Sequence, residues 1–298
     1  MGNKFLFSGH ETFICKQFWL KKGFDYLNKG LSFSDKDATV QLGVGKNMVS
    51  AIQFWFKSFG MLEENGKTPN ILAKSIFLDE TGFDPYTENI GTIWLLHYLL
   101  VSSEKSSLYS LVFNEFRKER QEFARENLFQ YVQRKCVGED YEINENTLKS
   151  DIDVFAKSYV KPDYSEKMDV EESFTGLLLD LDLVKRQWRE TISGQVKEYL
   201  VIANESRADL PCQIVLYVIL DMLNDLEKNK TITFKQLQTE HNSPGMVFAL
   251  SNDGLYDKIE NITKRFPQVI FADTAGVQTV QFKEPLTKMQ VLYDYYHA

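Results

Sequence analysis

Apolar positions in the first part of the chain recur at helical spacing and are punctuated by glycines. The pattern predicts three helices, over residues 11–28, 34–42 and 45–59. Gly43 ends the second helix, because glycine readily adopts the left-handed conformation that terminates a helix. Residues 61–64 and 71–78 are then predicted as two strands around the turn Asn65-Gly66. This succession of helix, helix, tight turn, helix and hairpin is the order of a winged helix.

The middle of the chain has the pattern of helices, and the last third is mixed. Helices are expected over residues 90–101, 108–116, 123–137 and 144–159. A charged stretch at 161–172, which contains Pro162, predicts a linker. Beyond it the pattern predicts strands over 177–187 and 196–203, helices over 210–227, 234–239 and 251–266, and a hairpin over 269–282. With a turn at 243–245, the last four of these elements repeat the order of helix, helix, turn, helix and hairpin found in residues 11–78.

We therefore expect a mostly α fold with small β-hairpins, built from tandem helix-turn-helix or winged-helix units. The predicted domains are a winged-helix domain at residues 1–85, a helical, helix-turn-helix-like domain at 86–165 and a C-terminal winged-helix domain at 166–298. The composition, 43% hydrophobic and 26% charged, is that of a globular protein. No window approaches the roughly 18 consecutive apolar residues of a membrane span, so no membrane partner is expected.

The cysteines and the charges bear on the location of the protein and on its affinity for nucleic acid. Three scattered cysteines, Cys15, Cys136 and Cys212, predict no disulfide framework and a cytoplasmic location. The net charge of −8 argues against general affinity for nucleic acid, but it is unevenly distributed. Residues 1–75 contain ten lysines against six acidic residues, so the surplus of acid lies in the remainder. A basic first part joined to an acidic body is typical of a DNA reader with a partner-binding body, although chance gives the same asymmetry.

The segment 42–49 introduces the sharpest candidate site. This segment begins the third predicted helix. Five polar side chains of that helix share one face, separate from its apolar face: Lys46, Asn47, Ser50, Gln53 and Lys57. Such side chains reach phosphates and base edges when a recognition helix enters the major groove. The plain alternative is a solvated polar face. A phosphate loop is excluded, because Val40 stands where that motif requires glycine.

A second candidate reader is the helix that begins near residue 144. Asn146, Thr147 and Lys149 are predicted to project from it. Asp151 and Asp153 on the same helix would repel phosphate, so packing or a protein contact is an equal alternative. The corresponding helix and hairpin of the last third are acidic at Asp253 and Asp273, which predicts a protein-binding module there.

Other groups of residues give only weak indications of a binding or catalytic site. The basic segment 185–189 contains Trp188 and could track a nucleic-acid backbone, or it could be a polar strand end. The four histidines never stand at metal-ligand spacing with cysteine, so no metal and no cofactor is expected. Cys15 with His10 is the one conceivable nucleophile and base, and nothing in the pattern requires them to meet. We predict that the protein is not an enzyme.

Three motifs carry a family resemblance: residues 7–13 with 19–23, residues 42–49, and residues 146–153. They resemble the bacterial family catalogued as domain of unknown function four thousand and seven. The resemblance covers nearly the whole chain and brings no catalytic residues. Members of that family tend to be encoded in anti-phage islands, near proteins similar to sulfurtransferases of the phosphorothioate DNA-modification type. It therefore implies a role in phage defence or DNA modification.

Two functional hypotheses follow. The first is a DNA-binding component that targets or regulates a defence or DNA-modification system, with double-stranded DNA and other defence-system proteins as partners. The second is a protein-protein adaptor whose winged-helix units bind partner enzymes without touching DNA. The basic first part favours DNA and the acidic body favours the adaptor.

Overall fold

The computed structural model describes residues 5–103, 105–162, 175–190, 194–224 and 230–298. Within them the chain is about half helical and carries two small three-stranded antiparallel sheets, as the sequence predicts for a mostly α fold with small hairpins. It divides into two compact units, Met1–Ile202 and Ala203–Ala298. The finer division into domains at 1–85, 86–165 and 166–298 stays a prediction. In the described part of the chain, no helix has the length and apolarity needed to cross a membrane.

The first unit begins with four helices around an aromatic core. They are α1 (Trp19–Asn28), α2 (Ala38–Leu42), α3 (Lys46–Ser58) and α4 (Ile71–Phe77). Helix α1 packs against each of the other three. The fully buried rings of Phe24, Trp55, Phe56 and Phe77 lie in this core. The predicted helix over 11–28 begins only at Trp19, because Ser8, Gly9, Glu11 and Thr12 all have positive φ and form an irregular loop.

The predicted second strand at 71–78 is wrong, because these residues form α4. Asn70 caps the helix by accepting a hydrogen bond from the amide of Ala73 over 2.9 Å. Ala73, Ile76 and Phe77 are buried at a spacing of three and four, which is helical. Of the predicted hairpin only one bridge, between Leu62 and Pro69, remains in the described residues.

The middle of the first unit is helical, as predicted. Its helices are α5 (Ile90–Ser102), α6 (Ser107–Ser110), α7 (Arg117–Glu119), α8 (Arg125–Gly138) and α9 (Glu145–Tyr159). A π-helical turn, Leu111–Phe116, joins α6 to α7 without a break. Helix α5 is buried almost all round, including His97, whose Nδ1 lies 2.8 Å from the hydroxyl of Tyr159.

One sheet lies in the first unit. It consists of β1 (Glu122–Phe123), β2 (Lys185–Glu190) and β3 (Val196–Val201) in the order β1-β3-β2. The predicted strand over 177–187 starts only at Lys185, because Leu179–Leu181 form a 3₁₀ turn that buries its two leucines. The predicted linker at 161–172 lies outside the described residues from position 163 onward.

The second unit carries a helix before its sheet and another after it. In chain order its elements are α10 (Cys212–Leu223), β4 (Thr231–Thr233), α11 (Phe234–Thr239), α12 (Pro244–Val247), α13 (Asn252–Arg265), β5 (Val269–Thr274), β6 (Val277–Phe282) and α14 (Lys288–Tyr296). The sheet order is β4-β6-β5. The predicted helices at 234–239 and 251–266 and the hairpin at 269–282 are confirmed, whereas β4 and α14 were not predicted.

Candidate nucleic-acid interface

A tight turn connects α2 to α3. Gly43 caps α2 in the left-handed conformation, with φ 64° and ψ 35°, and its amide donates to the carbonyl of Val40. The amide of Val44 donates to the carbonyl of Thr39 over 3.1 Å, which closes the turn. Gly45 is extended and begins α3 without a capping side chain. The first amides of α3 therefore lie at an exposed helix start.

Helix α3 has one buried and one polar face. Its buried residues are Val49, Ala51, Ile52, Trp55, Phe56 and Ser58. The predicted reader residues Lys46, Asn47, Gln53 and Lys57 are exposed, and Ser50 is half-buried. The structure thus places all five on one side of the helix, and we call this set the α3 polar face. Its contact with DNA stays a prediction.

The two lysines of the α3 polar face are not neutralised locally. Among the described residues, neither Lys46 nor Lys57 has a carboxylate within ion-pair distance. Lys57 also lies in the last turn of α3, where a cation interacts favourably with the helix dipole. Both ammonium groups are therefore free to meet an anionic partner such as a phosphate backbone.

The loop at residues 8–13 packs against α3. The indole Nε1 of Trp55 donates to the carbonyl of Phe13 over 3.0 Å, and the His10 ring packs edge-on against Phe54. Gly9 has φ +102°, and a Cβ added there would lie 2.6 Å from Cδ2 of Phe54. The chain reaches this close approach to α3 because residue 9 has no side chain.

The loop is also tied to α9 by a buried pair. Nε2 of His10 lies 2.9 Å from Oδ1 of Asp151, and the amide of Ser8 donates to the same carboxylate over 2.9 Å. The amide of Thr12 donates to Nδ1 of His10 over 3.1 Å, so Nε2 carries the ring proton and donates to Asp151. His10 and Asp151 are both buried. Asp151 therefore does not lie on the exposed surface of α9, whereas Asp153 does.

This arrangement also bears on the conceivable nucleophile pair. Both ring nitrogens of His10 have partners, Thr12 and Asp151, and neither partner is a thiol. Burial raises the pKa of the Cys15 thiol well above its usual value, which opposes formation of a thiolate. Cys15 itself donates to the carbonyl of Lys16. The geometry activates no nucleophile here.

The second group of predicted readers lies in the first turns of α9. The Asn144 side chain caps this helix by accepting from the amides of Asn146 and Thr147. Asn146 and Lys149 are exposed and Thr147 is half-buried. Lys149 is held by Glu145 at 3.5 Å and lies over the Phe129 ring at 5.4 Å. Because its charge is partly satisfied, Lys149 is a weaker candidate than Lys46 or Lys57, and DNA contact by this group stays a prediction.

The basic segment 185–189 forms β2. Arg186 pairs with Glu198 at 2.8 Å and Arg189 with Glu122 at 2.7 Å, so carboxylates offset both guanidinium groups. Trp188 remains 57% exposed. The segment forms a polar strand with both guanidinium groups paired across the sheet, and its contact with nucleic acid stays a prediction. In the described ranges, no three His, Cys, Asp or Glu side chains converge closely enough to hold a metal ion.

Comparison with known proteins places the chain in a family. The family model described as "Protein of unknown function (DUF4007)" matches residues 7–296. The chain belongs to this family. Two solved structures resemble this member of the DUF4007 family, one described as the SspB crystal structure and one as the magnesium-ion-bound SspB crystal structure. Their TM-scores are 0.80 and 0.81, and each is 25% identical, with 98% of this chain and 88% of the other covered. A search of curated proteins finds no match.

Proposed function

We propose that this DUF4007 protein is a non-catalytic DNA-binding component that targets or regulates a bacterial phage-defence or DNA-modification system. The observation that carries the proposal is the α3 polar face, which follows a tight helix-turn-helix connection. It presents, among amide and hydroxyl side chains, two lysines that have no ion-pair partner within the described ranges. Lysines at the ends of such a face suit phosphates, and Asn47 and Gln53 between them suit base edges. In this proposal α3 enters the major groove.

The order of elements supports a winged-helix assignment, especially in the second unit. There α10, β4, α11, the short α12, α13, β5 and β6 follow one another, and the sheet order β4-β6-β5 brings the first strand beside the last. In the first unit the three helices of the motif are present, but α4 replaces the expected wing. We propose tandem units in which the first has lost its hairpin.

The biological setting of the proposal comes from the relatives. The resemblance to the DUF4007 family implies an anti-phage gene island next to DNA-phosphorothioation proteins. The likeness to SspB over 98% of this chain supports a role in a system of that kind. In addition to duplex DNA, we propose other proteins of the same system as partners.

A salt titration of duplex binding tests this function. The full-length protein is mixed with a labelled duplex of mixed sequence, and affinity is measured between about 50 and 200 mM salt. Because each phosphate contact releases counterions, log affinity should fall linearly with log salt at about −0.9 per contact. A protein that binds no duplex at 50 mM salt would contradict the proposal.

An adaptor remains the second candidate, and the surface of the second unit favours it. Asp253 at the start of α13 and Asp273 at the end of β5 are exposed where a DNA-binding winged helix needs cations. Tyr256 and Val277 are exposed apolar side chains on the same unit. An adaptor predicts co-purification with partner proteins and no binding of duplex DNA.

A further inference from the structure

A cavity of about 380 Å³ opens beside the helix-turn-helix segment of the first unit. It is lined by α1 and by Gln41 and Leu42, the last residues of α2. Only the turn at residues 43–45 separates this edge from Lys46 at the start of α3. The volume lies within the range of roughly 300–1,000 Å³ that small-molecule sites occupy.

The charged lining of the cavity has a small cationic surplus. Lys21, Lys22 and Lys29 contribute three ammonium groups, Asp25 contributes a carboxylate, and a second carboxylate, that of Asp79, pairs with Lys21. Lys21 is buried and bound to Asp25 at 2.5 Å and to Asp79 at 2.6 Å. Burial lowers the pKa of Lys21, but the two carboxylates more than offset this, so its pKa lies above the usual value and it stays charged.

Two of the lysines are available to a ligand. Lys22 donates to the carbonyl of Leu42 over 2.9 Å, and its other two N–H groups have no partner in the part of the chain that the structure describes. Lys29 is exposed and has no ion-pair partner among the described residues. An anion in the cavity therefore meets ammonium donors without displacing an existing pair.

Aromatic rings complete the lining. Phe18 is 55% exposed and Tyr86 is 49% exposed, and both line this cavity. Half-exposed rings beside lysines are the combination that stacks a base while the cations hold its phosphate. An anion without an aromatic group would use the lysines alone, and an apolar ligand would leave them unsatisfied.

We propose that this cavity binds one nucleotide, with its base on Tyr86 and its phosphate on Lys22 and Lys29. The ligand is either a free nucleotide or a nucleotide of a DNA strand that has left its stack. The site is separate from the α3 polar face, so this proposal adds a second binding site to the proposed contact between α3 and duplex DNA.

Equilibrium binding of two probes to the full-length protein tests the proposal. The probes are AMP and a labelled single strand of twelve thymidines. Tyr86→Leu removes stacking and Lys29→Gln removes a phosphate contact, both at exposed positions outside the core. The matched controls are Tyr293→Leu, an exposed ring elsewhere, and Lys157→Gln, an exposed lysine on α9. Thermal melting checks that every variant is folded.

The expected result is that Tyr86→Leu weakens binding about tenfold and Lys29→Gln weakens it at low salt, whereas the controls bind like the parent. If the pocket variants lose AMP binding, the ligand is a free nucleotide. If they lose only binding of the single strand, the ligand is a nucleotide of DNA. Pocket variants that bind both probes like the parent, or a parent that binds neither, would overturn the proposal. Lys46→Ala with Lys57→Ala should leave AMP binding unchanged, so failure of the duplex proposal is distinguishable from failure of this one.

Discussion

His10 donates a hydrogen bond from Nε2 to Oδ1 of Asp151 over 2.9 Å, although 141 residues separate them in the chain. The pair joins the first motif of the family resemblance to the last. Through Phe54 and Trp55, which His10 contacts, it links α9 to the helix that carries the α3 polar face. We regard His10 and Asp151 as structural residues that hold α3 in place.

Asp151→Ala should strongly destabilise the protein. The substitution leaves the His10 Nε2–H and the Ser8 amide buried without an acceptor, and the expected loss is about 2–4 kcal/mol in the free energy of unfolding. Asp153→Ala is the matched control, because Asp153 is exposed on the same helix and should cost no more than about 0.5–1 kcal/mol. Chemical denaturation measures both. Equal losses of unfolding free energy in the two variants would show that the buried His10–Asp151 pair does not stabilise the fold.

Gly9→Ala should also destabilise the fold. Alanine disfavours positive φ, and its Cβ would lie 2.6 Å from the Phe54 ring, so we expect a loss of about 2 kcal/mol or more. Gly138→Ala is the control, since a Cβ there meets nothing within 4 Å and the residue lies in α8. That variant should be neutral or slightly more stable. A Gly9→Ala protein that melts with the parent would disprove the close approach.

Residues 203–298 should fold without the rest of the chain. This compact unit has its own core, which includes Val247, Phe248, Ile259 and Val280. We expect a cooperative thermal transition by circular dichroism and, because Asp253 and Asp273 are exposed, no duplex binding at about 100 mM salt. A fragment that binds duplex DNA as tightly as the full chain would show that the reader lies in the second unit.

The sequence predicts elements with a long, regular period well and long-range relationships poorly. Helix α3 was expected at 45–59 and spans Lys46–Ser58, and α13 was expected at 251–266 and spans Asn252–Arg265. The apolar run at 71–78 predicts a strand but forms a helix, because a short apolar run fits either period and the Asn70 side chain caps the helical turn.

The candidate site was only partly predictable for the same physical reason. The α3 polar face follows from helical spacing alone, so its five residues could be named. The His10–Asp151 pair and the two-residue strand β1 depend on contacts between distant segments, which leave no local periodicity. The cavity between α1 and α2 likewise depends on how the helices pack.

Asn47 and Gln53 should determine sequence preference. If either amide side chain bonds a base edge, its replacement by alanine should cost roughly 1–3 kcal/mol on the preferred site and relax the preference there. Selection of duplexes from a random pool, followed by affinity measurement, compares each variant with the parent. Ser34→Ala, an exposed polar position outside α3, is the control. An unchanged preference in both α3 variants would mean that α3 does not read bases.

The most direct test of the central claim is the salt dependence of duplex binding by the double variant Lys46→Ala, Lys57→Ala. Neither lysine belongs to the buried face of α3, so the melting temperature should stay close to that of the parent. Loss of two phosphate contacts should weaken binding and reduce the slope of log affinity against log salt by about 1.8. A folded double variant with the affinity and slope of the parent would contradict the account.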